Sequence, residues 1–203
     1  MNPLNSISGS IISGVIIAIV IVIVAVSIGA SPGVFHEPTL ARWLHILSGI
    51  TWIGLLYYFN VVQTPALAAA AADKGGPGGA GISKYIAPRA LAWFRWAAIA
   101  TFLTGAWYLL RTGNFLNAVT LGHGGHDQYG LVIGIGGWLG TIMMLNVWAF
   151  IWPNQKKILG IVPATDEEKA RARKVAGTAS RTNFVLSIPM LLCMASAFHG
   201  LPY

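Results

Sequence analysis

Hydrophobic residues along this chain form five long runs separated by short polar segments. A helix needs roughly 20 apolar residues to cross a bilayer core of about 30 Å, and each run approaches that length. We therefore predict an all-α integral membrane protein with five transmembrane helices. The predicted spans are residues 11–30, 40–62, 93–110, 131–152 and 183–199.

The composition agrees with a membrane protein. Of the 203 residues, 55% are hydrophobic and only 9% are charged, whereas about 25% of the residues in a soluble domain are charged. A chain of this length is predicted to form a single transmembrane domain, residues 1–203. The net charge of +7 does not indicate a nucleic-acid partner, because the basic residues lie between the apolar runs, as they do in membrane proteins.

The basic residues also predict the orientation. Eleven of the 13 Lys and Arg residues lie in or just beside the segments that join the second span to the third and the fourth to the fifth, whereas Arg42 and Arg111 lie on the other side. Basic loops face the cytoplasm, which places the N-terminus in the cytoplasm and the C-terminus in the periplasm. Thr165 and Glu168 have the spacing of a capping box and predict a cytoplasmic amphipathic helix over about residues 165–180.

All five histidines fall on the predicted periplasmic side or near it. His45 lies about one turn inside the second span, and an ionisable residue inside a span usually has a functional reason to be there. Two interpretations are open: His45 ligates the iron of haem b, because helix bundles hold cofactors between their helices, or it hydrogen-bonds a neighbouring helix. The histidines are His36, His45, His123, His126 and His199.

The residues around His45 complete the predicted haem site. Gly49, one turn deeper, removes a side chain where a flat macrocycle would approach, and Trp52 adds an aromatic wall. His199 has a similar predicted depth and is either the second axial ligand or an interfacial residue that ends its helix. Arg42 either pairs with a haem propionate or an anionic substrate, since guanidinium binds carboxylates, or it anchors the interface.

A weaker metal site is predicted in the loop before the fourth span. His123 and His126 flank two glycines, and Asp127 follows them. Two imidazoles and a carboxylate are suitable metal ligands, but the glycines make the loop flexible. A solvated loop is therefore the favoured interpretation.

Small and polar residues in the last two spans predict close helix packing. Small residues let membrane helices approach one another, and polar groups inside spans need partners. We therefore expect Asn146 and Asn183 to bridge helices. The glycines of the fourth span lie on two faces, with Gly130, Gly134 and Gly137 on one and Gly136 and Gly140 on the other.

Eight short strings carry a resemblance to known proteins. They are RWLH at 42–45, GITWIGLLYYFN at 49–60, WFRW at 93–96, LNVW at 145–148, IWPNQ at 151–155, SRTN at 180–183, LSIPM at 186–190 and FH at 198–199. Together they resemble the membrane domain of the bacterial urate hydroxylase family. The resemblance implies a multi-pass protein of the bacterial inner membrane and a redox function at the periplasmic side.

The same resemblance leaves the activity open. Full-length members have a membrane portion followed by a cytochrome c domain, which takes electrons from urate oxidation toward the respiratory chain. This chain ends at Tyr203 without a CxxCH motif. The resemblance therefore implies a short form that passes electrons to a separate cytochrome c, or one that has lost the activity. It assigns no catalytic residue, so an oxidoreductase activity is an expectation only.

Two other functions compete with the redox function. The glycine-rich fourth span and the uniformly apolar first span also favour a non-enzymatic accessory subunit that packs against a larger membrane complex. The third hypothesis is a haem- or copper-handling enzyme, such as a membrane porphyrinogen oxidase. It rests on a one-helix resemblance that includes Leu44, His45, Trp52 and Gly54.

Overall fold

The computed structural model describes residues 2–30 and 33–202, and every regular element within these ranges is helical. The chain divides into two compact units, Met1–Glu37 and Pro38–Tyr203. In the first unit a short 3₁₀ turn precedes helix α1, Ile7–Ser27. The Ser6 hydroxyl caps α1 by accepting the Gly9 N–H at 3.0 Å. No residue of α1 is buried, so its apolar side chains are exposed on all sides.

The rest of the chain forms four long helices and two short ones. Within the described residues the all-helical prediction is confirmed, and a helix covers most of each predicted span. Three helices, α1, α2 and α6, are long and apolar enough to cross a membrane, whereas α3 and α7 carry more polar and charged residues. The helices after α1 are α2 (Glu37–Ala72), α3 (Ala87–Arg111), α4 (Phe115–Val119), α5 (Leu121–Gly125), α6 (Gln128–Ile158) and α7 (Asp166–Ser196).

Three π-helical segments precede prolines that lie inside or at the start of a long helix. A proline has no N–H, and its ring clashes with the carbonyl four residues before it, so the preceding turn widens. Single π turns of this kind are recurrent features of functional helices. The segments are Tyr58–Gln63 before Pro65, Ile82–Ile86 before Pro88 and Val147–Ile151 before Pro153.

Helix α7 joins two elements that the sequence predicts separately. The predicted capping box is present: the Glu168 N–H donates to the Thr165 hydroxyl, and the Thr165 N–H donates to the Glu168 carboxylate. From there α7 continues through Asn183 and Pro189 to Ser196. The predicted amphipathic helix and the fifth predicted span are therefore one helix, because nothing between them terminates it.

Contacts within the second unit define two ends of the bundle. One end, which we call the basic end, has two such contacts. Lys157 Nζ of α6 lies 4.0 Å from Glu168 Oε1 of α7, and the Arg95 guanidinium of α3 lies 3.8 Å from the centre of the Trp152 ring. At the opposite end, which we call the histidine end, Arg42 of α2 lies near Phe198, just beyond α7. Neighbouring long helices therefore run in alternating directions.

The core lies between these ends. Phe94 of α3 and Leu56 of α2 are fully buried, and the Phe59 ring meets the Phe94 ring edge-on at 5.4 Å. The buried positions of α2 include Trp52 and Leu56, so this side of the helix is its packing face. Truncating a buried phenylalanine typically costs about 3–5 kcal/mol.

Two asparagines hold α6 against α7, as predicted. Asn146 donates through Nδ2 to the Ala179 carbonyl at 2.9 Å and to Asn183 Oδ1 at 2.7 Å. Asn183, which is fully buried, donates through Nδ2 to the Met143 carbonyl at 3.0 Å. These bonds satisfy polar groups that would otherwise be costly in an apolar interior.

Candidate functional site

His45 is held in one orientation by α3. Its Nδ1 lies 2.8 Å from the carbonyl oxygen of Thr101. Because a carbonyl only accepts, Nδ1 must donate, and the neutral ring then keeps its lone pair on Nε2. Histidines that bind metals through one nitrogen commonly donate the other N–H in this way.

Gly105 of α3 makes the position of the His45 ring possible. A Cβ at Gly105 would lie 2.8 Å from both Cε1 and Nδ1 of His45, which is closer than carbon and nitrogen atoms pack. Ala97, Thr101 and Gly105 follow one another at intervals of four residues, so they share a face of α3. This face of small residues lets α2 come close to α3 and brings the imidazole to the Thr101 carbonyl.

Gly49 and Trp52 lie where α2 contacts its neighbours. A Cβ at Gly49 would be 3.8 Å from Thr101 Cγ2, an ordinary contact distance, so α3 lies directly beside this glycine. Trp52 is 2% exposed and belongs to the core, where its Nε1 has no hydrogen-bond partner among the described residues. These two residues pack α2 against its neighbours, and their contact with a macrocycle stays a prediction.

A cluster of aromatic residues and Arg42 lies at the histidine end. The Arg42 guanidinium lies 5.4 Å from the centre of the Phe198 ring, and the other neighbour of this ring is Tyr129, at 4.9 Å between centroids. The Tyr129 hydroxyl is buried and has no partner within the described part of the chain. His199 follows Phe198 and is exposed, so the structure places it at the same end of the bundle as His45.

The loop before α6 is a small polar network. His123 Nδ1 lies 3.1 Å from Asn117 Oδ1, and Asn117 Nδ2 donates to Asp127. Asp127 also caps α6 by accepting the Gly130 N–H at 3.0 Å. The hydrogen bond from Asn117, followed by that from Gly130, holds the pKa of the Asp127 carboxyl below its usual value.

Segment α5 lies in this loop and is a left-handed turn over its five residues, not a regular α-helix. All residues from Leu121 to Gly125 have positive φ, a conformation that favours glycine, and three of the five are glycines. His126 is exposed. Across the described ranges, no three His, Cys, Asp or Glu residues are grouped so as to hold a metal ion.

Glycines on α6 shape both of its packing faces. A Cβ at Gly134 would overlap the Ala118 carbonyl of α4, and one at Gly130 would overlap Asn117. On another face, a Cβ at Gly136 would lie 3.1 Å from Cys193 Cβ of α7. Gly130, Gly134 and Gly136 therefore hold neighbouring helices at close range, as predicted, whereas a Cβ at Gly137 or Gly140 would have no atom within 4 Å.

The sequence arguments missed three residues of this end of the bundle. Gly105 is one of several small residues in its span, although its spacing of four from Thr101 indicates that the two share a helix face. Asn117 belongs to no motif. Its polar side chain, ten residues before Asp127, was the only indication that the two residues interact. Tyr129 gave no signal, because its role depends on the position of Phe198.

Comparison with known proteins supports the resemblance over part of the chain. Residues 126–203 match the model of the family described as urate oxidase N-terminal, which confirms the similarity to urate hydroxylases over α6, α7 and the segment around them. The match does not extend to α2, so it does not include His45 or Arg42. No curated protein and no solved structure matches the chain.

Proposed function

We propose that this protein is a membrane-embedded redox protein related to the urate hydroxylases, and that His45 ligates the iron of haem b through Nε2. The observation that carries the proposal is the hydrogen bond from His45 Nδ1 to the Thr101 carbonyl. It orients the ring and leaves Nε2 as the nitrogen with the lone pair. The family match over residues 126–203 supports the redox assignment.

The residues at the histidine end fit a haem in part. His45 offers an oriented nitrogen, and Arg42 is a cation suited to a propionate carboxylate. His199 would be a second residue holding the iron, supported by the contact that brings its neighbour Phe198 to Arg42. Gly49 and Trp52, which pack α2 against the bundle, would border the haem. Bound haem would supply one-electron chemistry.

The membrane topology is part of the proposal. We propose five spans in a bacterial inner membrane, with the N-terminus cytoplasmic and the histidine end periplasmic. Eleven of the 13 basic residues lie on the proposed cytoplasmic side, as the positive-inside rule requires. A redox site at the histidine end would then exchange electrons with a separate periplasmic cytochrome c.

The visible spectrum of the purified protein tests the haem. We expect a Soret band and sharp reduced-state bands, with loss of the Soret band in His45→Ala. His126→Ala is the matched control, because His126 is an exposed histidine of the loop before α6, and its spectrum should be unchanged. An unaltered Soret band in His45→Ala would refute the ligand assignment.

A functional assay then tests the substrate. We expect urate to drive cytochrome reduction or oxygen consumption by the protein in membranes. A haem spectrum without a response to urate, combined with turnover of a porphyrinogen, would favour the haem-handling enzyme instead. The expected urate response should be lost in His45→Ala and kept in His126→Ala.

One observation favours a second function, that of an accessory subunit. Helix α1 is apolar on every face and buries no residue in its own unit, so its surface is available to lipid or to another membrane helix. A purified protein without any chromophore, which retains other membrane subunits through gentle solubilisation, would support this function. A haem-containing protein that purifies alone would oppose it.

A further inference from the structure

The basic end carries a groove that the redox proposal does not use. Two adjoining grooves, of about 440 and 290 Å³, share Arg181 and Val185 of α7. The larger is also lined by Thr178, Thr182 and Leu186, and the smaller extends to Asn60 and Val61 of α2. The combined groove therefore runs between α2 and α7, and we call it the Arg181 groove.

The polar groups of the Arg181 groove lack partners within the described chain. Arg181 is exposed and has neither an ion pair nor a hydrogen bond there. Threonines in helices usually donate to a carbonyl in the preceding turn, as Thr101 and Thr141 do. Thr178 and Thr182 make no such bond in the described structure, so two hydroxyls and a guanidinium remain free to bind a ligand.

The remaining walls of the groove are apolar and exposed. Val61 is 59% exposed and Val185 is 65% exposed. Asn60, which also lines the smaller groove, donates through Nδ2 to the Ser180 hydroxyl and to the Leu56 carbonyl, both at 2.9 Å. The bond to Ser180 fixes α2 beside α7 at the groove.

The position and charge of the groove indicate the class of ligand that it binds. It lies at the basic end, beside the end of the second predicted span at residue 62, where basic residues outnumber acidic ones. We propose that the Arg181 groove binds an anionic phospholipid. Its phosphate contacts Arg181 and the hydroxyls of Thr178 and Thr182, and an acyl chain lies along Val61 and Val185. Basic residues at a membrane surface attract anionic headgroups in this way.

This inference requires α2 to lie in a membrane but does not depend on haem binding. A visible spectrum without a Soret band would refute the haem proposal, whereas only a lipid-binding measurement can refute the lipid proposal. The two failures are therefore distinguishable. The groove is also at the end of the bundle opposite His45, which separates the two sites in space.

Native mass spectrometry of the detergent-solubilised full chain tests the proposal. Dioleoyl phosphatidylglycerol and dioleoyl phosphatidylcholine are titrated separately, and bound adducts are counted. We expect selective binding of phosphatidylglycerol and an affinity about fivefold lower in Arg181→Gln. Arg173→Gln is the matched control, since Arg173 is an exposed arginine of the same helix that does not line the groove.

Further variants separate the phosphate contacts from the chain contacts. Thr182→Val should weaken phosphatidylglycerol binding without altering the fold, because its hydroxyl has no partner in the described structure. Inorganic phosphate should compete poorly, because it cannot use the apolar walls. Equal losses in Arg181→Gln and Arg173→Gln, equal binding of both lipids, or full displacement by inorganic phosphate would each overturn the proposal.

Discussion

Replacing Gly105 with alanine tests the contact that positions His45. The new Cβ would lie 2.8 Å from Cε1 and Nδ1 of the imidazole, so either the ring or α3 must move. Movement of the ring lengthens the bond from Nδ1 to the Thr101 carbonyl, which is now 2.8 Å. The substitution therefore disturbs both the packing of the His45 ring and its hydrogen bond.

The magnitude follows from three opposing contributions. Forcing an extra carbon into a packed site costs about 1–3 kcal/mol, and losing the hydrogen bond costs about 0.5–1.5 kcal/mol. Alanine gains about 1 kcal/mol over glycine as a helix former. We expect Gly105→Ala to lower the free energy of unfolding by about 2 kcal/mol.

Denaturant unfolding in detergent micelles measures this change, and two variants control it. Gly54→Ala and Gly137→Ala add the same methyl group where no atom lies within 4 Å of the new Cβ, so each should be neutral or slightly stabilising. The loss in Gly105→Ala should largely disappear when His45 is also alanine, because the clash needs the ring. An equal effect of all three glycine substitutions would refute the reasoning.

Three further predictions concern other parts of the bundle. Asn183→Ala should lower the unfolding free energy by about 1–3 kcal/mol, because it removes the two hydrogen bonds that Asn183 makes with the Asn146 amide and the Met143 carbonyl; denaturant unfolding measures it. The amide NMR shift of Gly130 should titrate with Asp127, with a midpoint below that of an ordinary aspartate. The ordering that Asp127 provides is therefore present above its unfolded pKa and is lost as the pH falls through its lower folded pKa. Thr165→Ala should reduce the helicity at the start of α7 and cost about 1 kcal/mol, measured by circular dichroism and unfolding.

Each of these predictions has a result that opposes it. An Asn183→Ala protein as stable as the native one would show that the asparagine bonds do not hold α6 to α7. A Gly130 amide shift that still titrates in Asp127→Asn would assign the titration to another group. Unchanged helicity in Thr165→Ala, with Thr165→Ser as the control that keeps a hydroxyl, would argue against the capping box.

The sequence predicted the positions of the helices because apolar runs and caps are local signals. A helix covers most of each of the five long apolar runs, and the capping box at Thr165 begins α7 where expected. The break between the amphipathic helix and the fifth span could not be judged from local pattern. A change from charged to apolar residues alters the environment of a helix without terminating it.

The surroundings of His45 depended on information that local pattern does not carry. Its hydrogen-bond partner is a backbone carbonyl, and every residue has one, so no side chain marked Thr101 as the acceptor. Gly49 was expected to leave room for a cofactor, but a glycine leaves the same room for a neighbouring helix, and Thr101 of α3 lies in contact distance of it. Only the helix arrangement decides between these outcomes.

The length of α7 has a mechanical consequence. Its 31 residues, at a rise of about 1.5 Å each, make a rod of about 46 Å, which is longer than the hydrocarbon thickness of about 30 Å. One stiff element therefore connects the charged surface that begins at Asp166 with the interior bonds of Asn183. A load on the residues near Asp166 would therefore be carried along one continuous helix to the bonds by which Asn183 holds α7 to α6.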